Sequence, residues 1–169
     1  MNIVIDIRSH KMAFAGYFKS INEEWISNNF WLEENDDQIL NDPQKYILDK
    51  GGNVFFALHN NNPVGTCALI VRDAITCELA KIAVDPMFQG HGIGKMLCIT
   101  FIEKARQRGF LRIVLEGNTK MQASLTLYRK LGFKEIPLEY NHSNSIHHTR
   151  CNVFMEIILN PYNPPEYQI

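Results

Sequence analysis

The sequence predicts an α+β fold, a mixed and mostly antiparallel central sheet flanked by helices. Three short apolar runs within residues 54–84 are separated only by brief turns, at 60–63 and near Asp73. Strands joined by such short links usually pair antiparallel. Segments with apolar residues at helical spacing lie on both sides of this stretch, as expected for helices that pack on a sheet. The predicted order is β-α-α-β-β-β-α-β-α-β-β around a single core.

The part of the chain before these runs is predicted to form one strand and two helices. Residues 2–7 place isoleucine at every second position, which is typical of a strand. From Lys11 to Phe30, large apolar residues recur at helical spacing. Residues 34–46 predict a second, shorter helix that breaks near Pro43, since proline cannot continue a helix.

The part after Pro86 alternates helices and strands. Apolar residues at intervals of four predict a helix from Ile93 that Gly109 ends. The remaining predicted elements are a strand at 110–117, a helix at 121–133, and strands at 134–137 and 151–159. We expect one domain over residues 1–160 and an irregular tail at 161–169.

Composition excludes several classes of function. A net charge of -1 over 169 residues provides no basic field for nucleic acid. Asp6 and Arg8 interrupt the apolar run that a signal peptide needs, and no apolar stretch is long enough to span a bilayer. The four cysteines are scattered, with no C-x-x-C pair, as in a reduced protein. We therefore expect a cytoplasmic protein without nucleic-acid or membrane partners.

The stretch "DPMFQGHGIGK" at residues 85–95 places three glycines at alternate positions just before a predicted helix. Glycine allows close approach to the backbone, and a helix start attracts phosphate. A P-loop requires G-x-x-x-x-G-K followed by Ser or Thr, but Gly90 and Gly94 are too close and Met96 follows Lys95. A dinucleotide loop requires G-x-G-x-x-G within a βαβ unit, and neither condition is met.

Three motifs instead resemble the GNAT superfamily of N-acetyltransferases. Residues 89–94 are similar to its Q/R-x-x-G-x-G/A pyrophosphate loop, "LAKIAVDP" to its fourth strand, and "LYRKLGF" to its L-Y-x-x-x-G-F segment. Their order and spacing match over residues 54–136. The resemblance implies a GNAT-like acyl-CoA N-acyltransferase fold, acetyl-CoA as the cofactor and direct acetyl transfer to an amine.

The resemblance also implies which residues bind the cofactor. Backbone groups of the fourth strand would pair with the pantetheine arm, beside an opening where the fourth and fifth strands splay apart. These strand residues are Ile82, Ala83 and Val84. The pyrophosphate would lie on the loop residues Gln89, Gly90, His91, Gly92, Ile93, Gly94 and Lys95. Many relatives have asparagine where this chain has Met121, so Asn118 either takes over that contact or caps the turn, and Ser124 caps or contacts the cofactor.

Two residues are candidates for proton transfer. Glu78 matches the family's glutamate base in "ELAKIAV", although it could instead face solvent or pair with Lys81. Tyr128 matches the motif tyrosine that points at the sulfur, where a phenol can protonate a thiolate. Simple packing of Tyr128 beside Leu125 on one helix side is the alternative.

The acceptor site is the least defined part of the prediction. Trp25 and Phe30 could form an aromatic wall with Glu24 attracting an ammonium, or they could be ordinary packing. Arg150 could bind a substrate carboxylate, which favours a small amine or an amino acid as acceptor. The alternatives are a protein N-terminus or lysine as acceptor, and a non-catalytic acyl-CoA-binding module.

Two further expectations concern the C-terminal part of the chain. The loop at 138–150 contains His142, His147 and His148 without zinc-type spacing, so we predict a polar lid and no metal. The strand at 151–159 could be an exposed edge through which a homodimer forms.

Overall fold

A seven-stranded mixed sheet organises the chain, in the order β1-β2-β3-β4-β5-β7-β6. The computed structural model describes residues 6–9, 12–137 and 148–160. The strands are β1 (Asp6–Ser9), β2 (Asn53–His59), β3 (Asn62–Val71), β4 (Thr76–Val84), β5 (Arg112–Gly117), β6 (Lys134–Ile136) and β7 (Val153–Ile158). The helices are α1 (Ala15–Asn29), α2 (Glu34–Asn41), α3 (Ile93–Gln107) and α4 (Gln122–Lys130).

The predicted antiparallel meander is confirmed. β2 pairs antiparallel with β3, and β3 with β4. The predicted break in the second helix is also confirmed, since α2 ends before Pro43 and a separate helical turn follows at Gln44–Leu48. Within the described residues the first strand spans Asp6–Ser9, so the predicted residues 2–5 lie outside that part of the chain.

β4 and β5 are the one parallel pair among the described strands, and they separate after a short contact. Pairing joins Thr76–Glu78 to Arg112–Val114, whereas β4 runs on to Val84 and β5 to Gly117. Beyond this contact, β4 and β5 no longer pair with each other. The predicted splay is therefore confirmed, and it opens a gap in the middle of the sheet.

Apolar side chains cover both faces of the sheet. Leu97 and Phe101 of α3 pack with Leu115 of β5 in one cluster. Phe18 of α1 packs with Phe56 of β2 in the second cluster. Burying a side chain of this size contributes about 1.5–3 kcal/mol, so helix packing on each face holds the diverging strands in place.

The prediction that the last strand is an exposed edge is wrong. β7 lies between β5 and β6 and pairs antiparallel with both. The chain passes β5 to make the short edge strand β6 and then returns to fill the space between them. This insertion explains why β7 is apolar, and it removes the basis on which a homodimer was predicted. The predicted tail at 161–169 lies outside the described residues.

Among the described helices, none combines the length and apolar character needed to cross a membrane.

Candidate functional site

A cavity of about 550 Å³ opens where β4 and β5 diverge. Its wall takes residues from α1, β4, the start of α3, the end of β5, α4 and the segment at 148–151. Most of the residues predicted from the sequence lie on this wall: Trp25, Phe30, Glu78, Ile82, Ala83, Val84, Gln89, Gly90, Gly92, Ile93, Gly94, Lys95, Asn118, Ser124, Tyr128 and Arg150. Two predicted residues, Glu24 and His91, do not line it.

The glycine loop leaves the start of α3 uncovered on the cavity side. Gly92 is the N-cap residue and has a φ of 76°, and Gly90 has a φ of 79°. Both values lie in the left-handed region that glycine adopts most easily. A Cβ atom at either position would meet nothing within 4 Å, so there is open space beside this backbone. The first N–H groups of a helix lack intrahelical partners and carry partial positive charge, which suits an anion.

Side chains of the same loop brace it from within. The Gln89 amide nitrogen donates to the carbonyl of Val84 at 3.1 Å. His91 is exposed, with Nδ1 3.0 Å from the carbonyl oxygen of Gln89 and 3.2 Å from that of Phe88. These contacts brace the loop, and the His91 imidazole is not part of the cavity wall.

A β-bulge reshapes β4 beside the gap. Thr66 pairs with Ala83 and Ala68 with Ala80, so two β4 residues lie opposite the single residue Cys67. Lys81, at the bulge, has a φ of 51°. Bulges re-aim side chains and strengthen the local twist. Past the bulge, β4 has β3 on one side and the cavity on the other, so residues 82–84 border the cavity, with the Val84 carbonyl already accepting the Gln89 amide.

Glu78 lies at the point where β4 and β5 part, paired with Val114. Its side chain is buried and forms an ion pair with Arg72. Both alternatives considered for it are therefore wrong, since it does not face solvent and Lys81 pairs with Asp36 instead. Glu78 is thus a carboxylate held at the base of the gap by a half-buried guanidinium.

Tyr128 lies on α4, buried at 6% exposure while still lining the cavity. Its ring packs edge-on against Phe133, with centroids 6.0 Å apart. Burial raises the pKa of Tyr128 far above its usual value, and the nearby thiols of Cys98 and Cys67 add to the effect. The phenol therefore keeps its proton at neutral pH.

Sequence reasoning missed Glu116, which lies near the end of β5 and lines the cavity. It accepts the backbone N–H of His148 at 3.3 Å and lies 2.9 Å from Nδ1 of that ring. A signal was present in "RIVLEG": Ile113 and Leu115 are buried in the core cluster under α3 and α4. Because side chains alternate along a strand, Glu116 must face the opposite side, as Glu78 does on β4.

Asp36 of α2, fully buried, is the centre of a charged network at one end of the cavity. Arg150 donates two hydrogen bonds to its carboxylate, at 2.5 and 2.9 Å, and Lys81 pairs with it as well. Nε2 of His148 lies 3.2 Å from it. Burial alone raises the pKa of Asp36, but hydrogen bonds from His148 and Arg150 and the charge of Lys81 outweigh it. The net result is a pKa far below the usual value.

The predicted acceptor residues have mixed outcomes. Trp25 and Phe30 line the cavity, with ring centroids 6.0 Å apart. Glu24 is exposed on α1, away from the cavity wall, so an ammonium in the cavity does not meet it. Arg150 lines the cavity. Both of its terminal nitrogens, the donors that a substrate carboxylate would need, already bind Asp36.

Asn118 fixes the segment that carries Arg150. Its side-chain nitrogen donates to the carbonyl of Arg150 at 2.5 Å, and its Oδ1 accepts the N–H of Lys120 at 2.8 Å. The predicted turn-capping role is therefore present, and a contact with the pantetheine arm stays a prediction. Two histidines of the predicted lid, His142 and His147, lie outside the described residues.

A splayed sheet with a glycine-lined helix start at the gap is the arrangement of an acyl-CoA N-acyltransferase fold, and comparison identifies the family. The acetyltransferase (GNAT) family model matches residues 16–133. The chain therefore belongs to the GNAT acetyltransferase family.

Several known proteins resemble parts or most of the chain. The [ribosomal protein bS18]-alanine N-acetyltransferase of Salmonella typhimurium is 38% identical over 73 residues, which are 43% of this chain and 48% of that protein. The matching part of the chain spans about half the length of its curated relatives. A GNAT-family acetyltransferase structure from Staphylococcus aureus superposes with a TM-score of 0.85 at 24% identity, covering 93% of this chain and 100% of the other.

A Salmonella typhimurium acetyltransferase, solved with its cofactor acetyl-CoA, superposes with a TM-score of 0.70 at 21% identity. The alignment covers 96% of this chain and 98% of that one. At these identities the two structural likenesses show a shared fold.

Proposed function

We propose that the protein transfers an acetyl group from acetyl-CoA directly to a primary amine. The observation that carries this proposal is that one cavity joins the uncovered start of α3, the free edge of β4 and Tyr128. A ligand with an anionic end, an amide-bearing arm and a thioester would meet these three features in that order. The GNAT-fold structure solved with acetyl-CoA supports the same cofactor.

In this proposal the pyrophosphate lies beside Gly90 and Gly92, where a Cβ atom would meet nothing within 4 Å. Backbone groups of Ile82, Ala83 and Val84 pair with the amides of the pantetheine arm. The remaining loop residues from Gln89 to Lys95 complete the anion site, with His91 as a brace. Asn118 and Ser124 line the route from the arm towards the sulfur.

The chemistry requires the acceptor nitrogen to lose two protons and the sulfur to gain one. Glu78 takes the first proton from the acceptor ammonium, directly or through water, and the neutral amine nitrogen then bonds to the thioester carbon. The second N–H proton leaves the tetrahedral intermediate to solvent. As the carbon–sulfur bond breaks, Tyr128 donates its phenolic proton to the departing thiolate. Burial raises the pKa of Tyr128, so the phenol is still protonated when the thiolate leaves.

Carboxylates and aromatic rings at the acceptor end suit an amine, with Glu78 paired to Arg72 and Glu116 to His148. Glu78 and Glu116 both line the cavity, together with the aromatic rings of Trp25 and Phe30. The nearby guanidinium of Arg150 is bound to Asp36. We therefore propose a small primary amine as the acceptor, because an amino acid carboxylate would have to compete with Asp36 for Arg150.

A protein N-terminus is the second candidate acceptor, favoured by the identity to the bS18-alanine enzyme. Initial rates with a panel of small amines, free amino acids and a peptide beginning with alanine separate the two. Turnover of the peptide alone would contradict the small-amine proposal. No turnover with any amine, together with tight acetyl-CoA binding, would support a binding module instead.

Calorimetric titration with acetyl-CoA tests the cofactor site, using Gly92→Glu and Gly92→Gln as a matched pair. The two variants share side-chain length and backbone strain and differ in charge. We expect Gly92→Glu to bind at least about tenfold more weakly than Gly92→Gln, because like charges near a protein surface repel by about 1–4 kcal/mol. Equal affinities would place the pyrophosphate elsewhere, and absence of binding by the wild type would overturn the proposed function.

A further inference from the structure

Three side chains of different chemistry converge at the acceptor end of the cavity. One ligand atom from each of Glu116, His148 and Cys151 lies within 4.8 Å of the other two. Glu116 Oε2 is 2.9 Å from His148 Nδ1. All three residues line the cavity. A carboxylate, an imidazole and a thiol at this spacing form the mixed oxygen, nitrogen and sulfur set that Zn²⁺ accepts.

The carboxylate of Asp36 orients the His148 imidazole so that it can act as a metal ligand. Nε2 of His148 lies 3.2 Å from Oδ1 of the fully buried Asp36 and 3.2 Å from Nδ2 of Asn35. Nδ1 of the same ring is thereby directed towards Glu116. Metal-binding histidines commonly donate their second N–H to a carboxylate in this way, which fixes the ring and strengthens the ligand.

The backbone holds the three ligands in place before any ion arrives. Glu116 is on β5, and the segment carrying the other two leads directly into β7, the neighbouring strand. The Cys151 N–H donates to the carbonyl of His148 at 3.0 Å, and the Asn152 N–H donates to the carbonyl of Gly117 at 3.0 Å. A preformed site avoids the cost of ordering its ligands on binding.

The charge balance of the surroundings permits a dication. Asp36 and Glu33 are linked to Arg150, and Asp36 also pairs with Lys81. With Glu116, and with His148 neutral as a metal ligand must be, this gives three carboxylates against the two cations Lys81 and Arg150. A zinc ion bound to the Cys151 thiolate adds one net positive charge, which leaves the cluster neutral.

We propose that Glu116, His148 and Cys151 bind Zn²⁺ with an open fourth position facing the cavity, and that the bound ion excludes the amine acceptor. The second half of this proposal rests on the proposed acetyl transfer. No metal was predicted from the sequence, because only histidines close together in the chain were considered as ligands. This ligand set instead comes from β5, which carries Glu116, and from the segment before β7, which carries His148 and Cys151.

Cobalt is a direct probe of the site, because Co²⁺ bound to a thiolate gives a charge-transfer absorption that zinc abolishes on displacement. We expect the reduced, metal-free full chain to bind one Co²⁺ with this band and to lose the band on addition of one equivalent of Zn²⁺. Cys151→Ser should lack the band, and His148→Gln should bind zinc at least about tenfold more weakly. His59→Gln, outside the cluster, is the matched control and should behave as wild type.

The outcomes separate the two halves of the proposal. A band that persists in Cys151→Ser, or wild-type zinc affinity in His148→Gln with native circular dichroism, would overturn the metal site whether or not the protein is a transferase. For inhibition, the acetylated amine is measured by mass spectrometry, since zinc also binds the thiol of released CoA. We expect zinc to inhibit the wild type and to lose this effect in Cys151→Ser, each compared with its own zinc-free rate. Zinc binding without inhibition would place the ion clear of the acceptor.

Discussion

At the scale of single residues, two carboxylates on the same face of the sheet compete for the role of base. Glu78 lies at the last paired position of β4 and β5 and is held by Arg72. Glu116 lies two positions beyond that contact, where β5 borders the gap, and is bound to His148. Both line the cavity, so burial and charge alone do not distinguish them.

Glutamine substitution at each position tests which carboxylate takes the proton, because it keeps the shape and removes the basicity. We expect Glu78→Gln to lower kcat by about 10²–10⁴-fold, with a smaller loss in Glu116→Gln. Single-turnover rates with saturating acetyl-CoA measure the chemical step. A larger loss in Glu116→Gln would transfer the base role to Glu116 and leave Glu78 as a partner of Arg72.

Local motifs made part of the site predictable from the sequence. The loop at 89–94 and the segment containing Tyr128 each lie within one short stretch, so their residues were found together. The Asp36 network was not predictable, since Lys81 is 45 positions away and Arg150 is 114 positions away. Such pairs depend on how α2 packs on the sheet, which periodicity does not reveal.

At the scale of elements, the bulge in β4 and the start of α3 together define the cofactor route. Gly65 of β3 pairs with Val84 of β4 just past the bulge, and there the sheet meets the start of α3. A Cβ atom there would lie 3.0 Å from Ile93 Cγ2 and 3.2 Å from Leu97 Cδ1. Both partners are in the first turns of α3, so the missing side chain sets how closely the helix start approaches the sheet.

Gly65→Ala should therefore displace the start of α3. We expect a loss of about 1–3 kcal/mol in the free energy of unfolding and weaker acetyl-CoA binding by calorimetry. Gly16→Ala in α1, whose Cβ would meet nothing within 4 Å, is the control: it should leave acetyl-CoA binding unchanged and raise the free energy of unfolding by at most about 1 kcal/mol. Native stability and affinity in Gly65→Ala would show that α3 is not held at this contact.

Strand order was predictable only in part at this scale. The meander of β2, β3 and β4 follows from short links that leave few alternatives. The position of β7 between β5 and β6 depends on a long connection, and apolar alternation fits an inner strand as well as an edge. The prediction for β7 failed for that reason.

At the scale of the whole molecule, one buried cluster ties the N-terminal helices to the C-terminal segment. Asp36 of α2 is linked to β4 through Lys81 and to the residues before β7 through Arg150. His148 extends this link to Glu116 on β5. Elements from both ends of the chain thus depend on the same charges, so stability should depend on the protonation of this cluster.

The protonation of His148 determines the direction in which stability changes with pH. Burial alone lowers the pKa of His148, but hydrogen bonds to Asp36 and Glu116 outweigh it, and the net pKa is raised above 6.5. The charged ring faces these two carboxylates, with Lys81 and Arg150 opposing it. A raised folded-state pKa means that protonation favours folding. This stabilisation is complete below the unfolded pKa of about 6.5 and is lost as pH rises through the folded value.

His148→Gln isolates that contribution, because all other titrating groups are common to both proteins. We expect the wild type to exceed the variant most in the free energy of unfolding at about pH 5–6, and by progressively less at higher pH. Urea unfolding of the metal-free proteins across this range measures the difference directly. A difference that grows with pH would mean that the ring is neutral in the folded protein. Lys81 and Arg150 would then be the cations that hold Asp36, besides the Glu33 N–H, and the link to β5 would be an uncharged hydrogen bond.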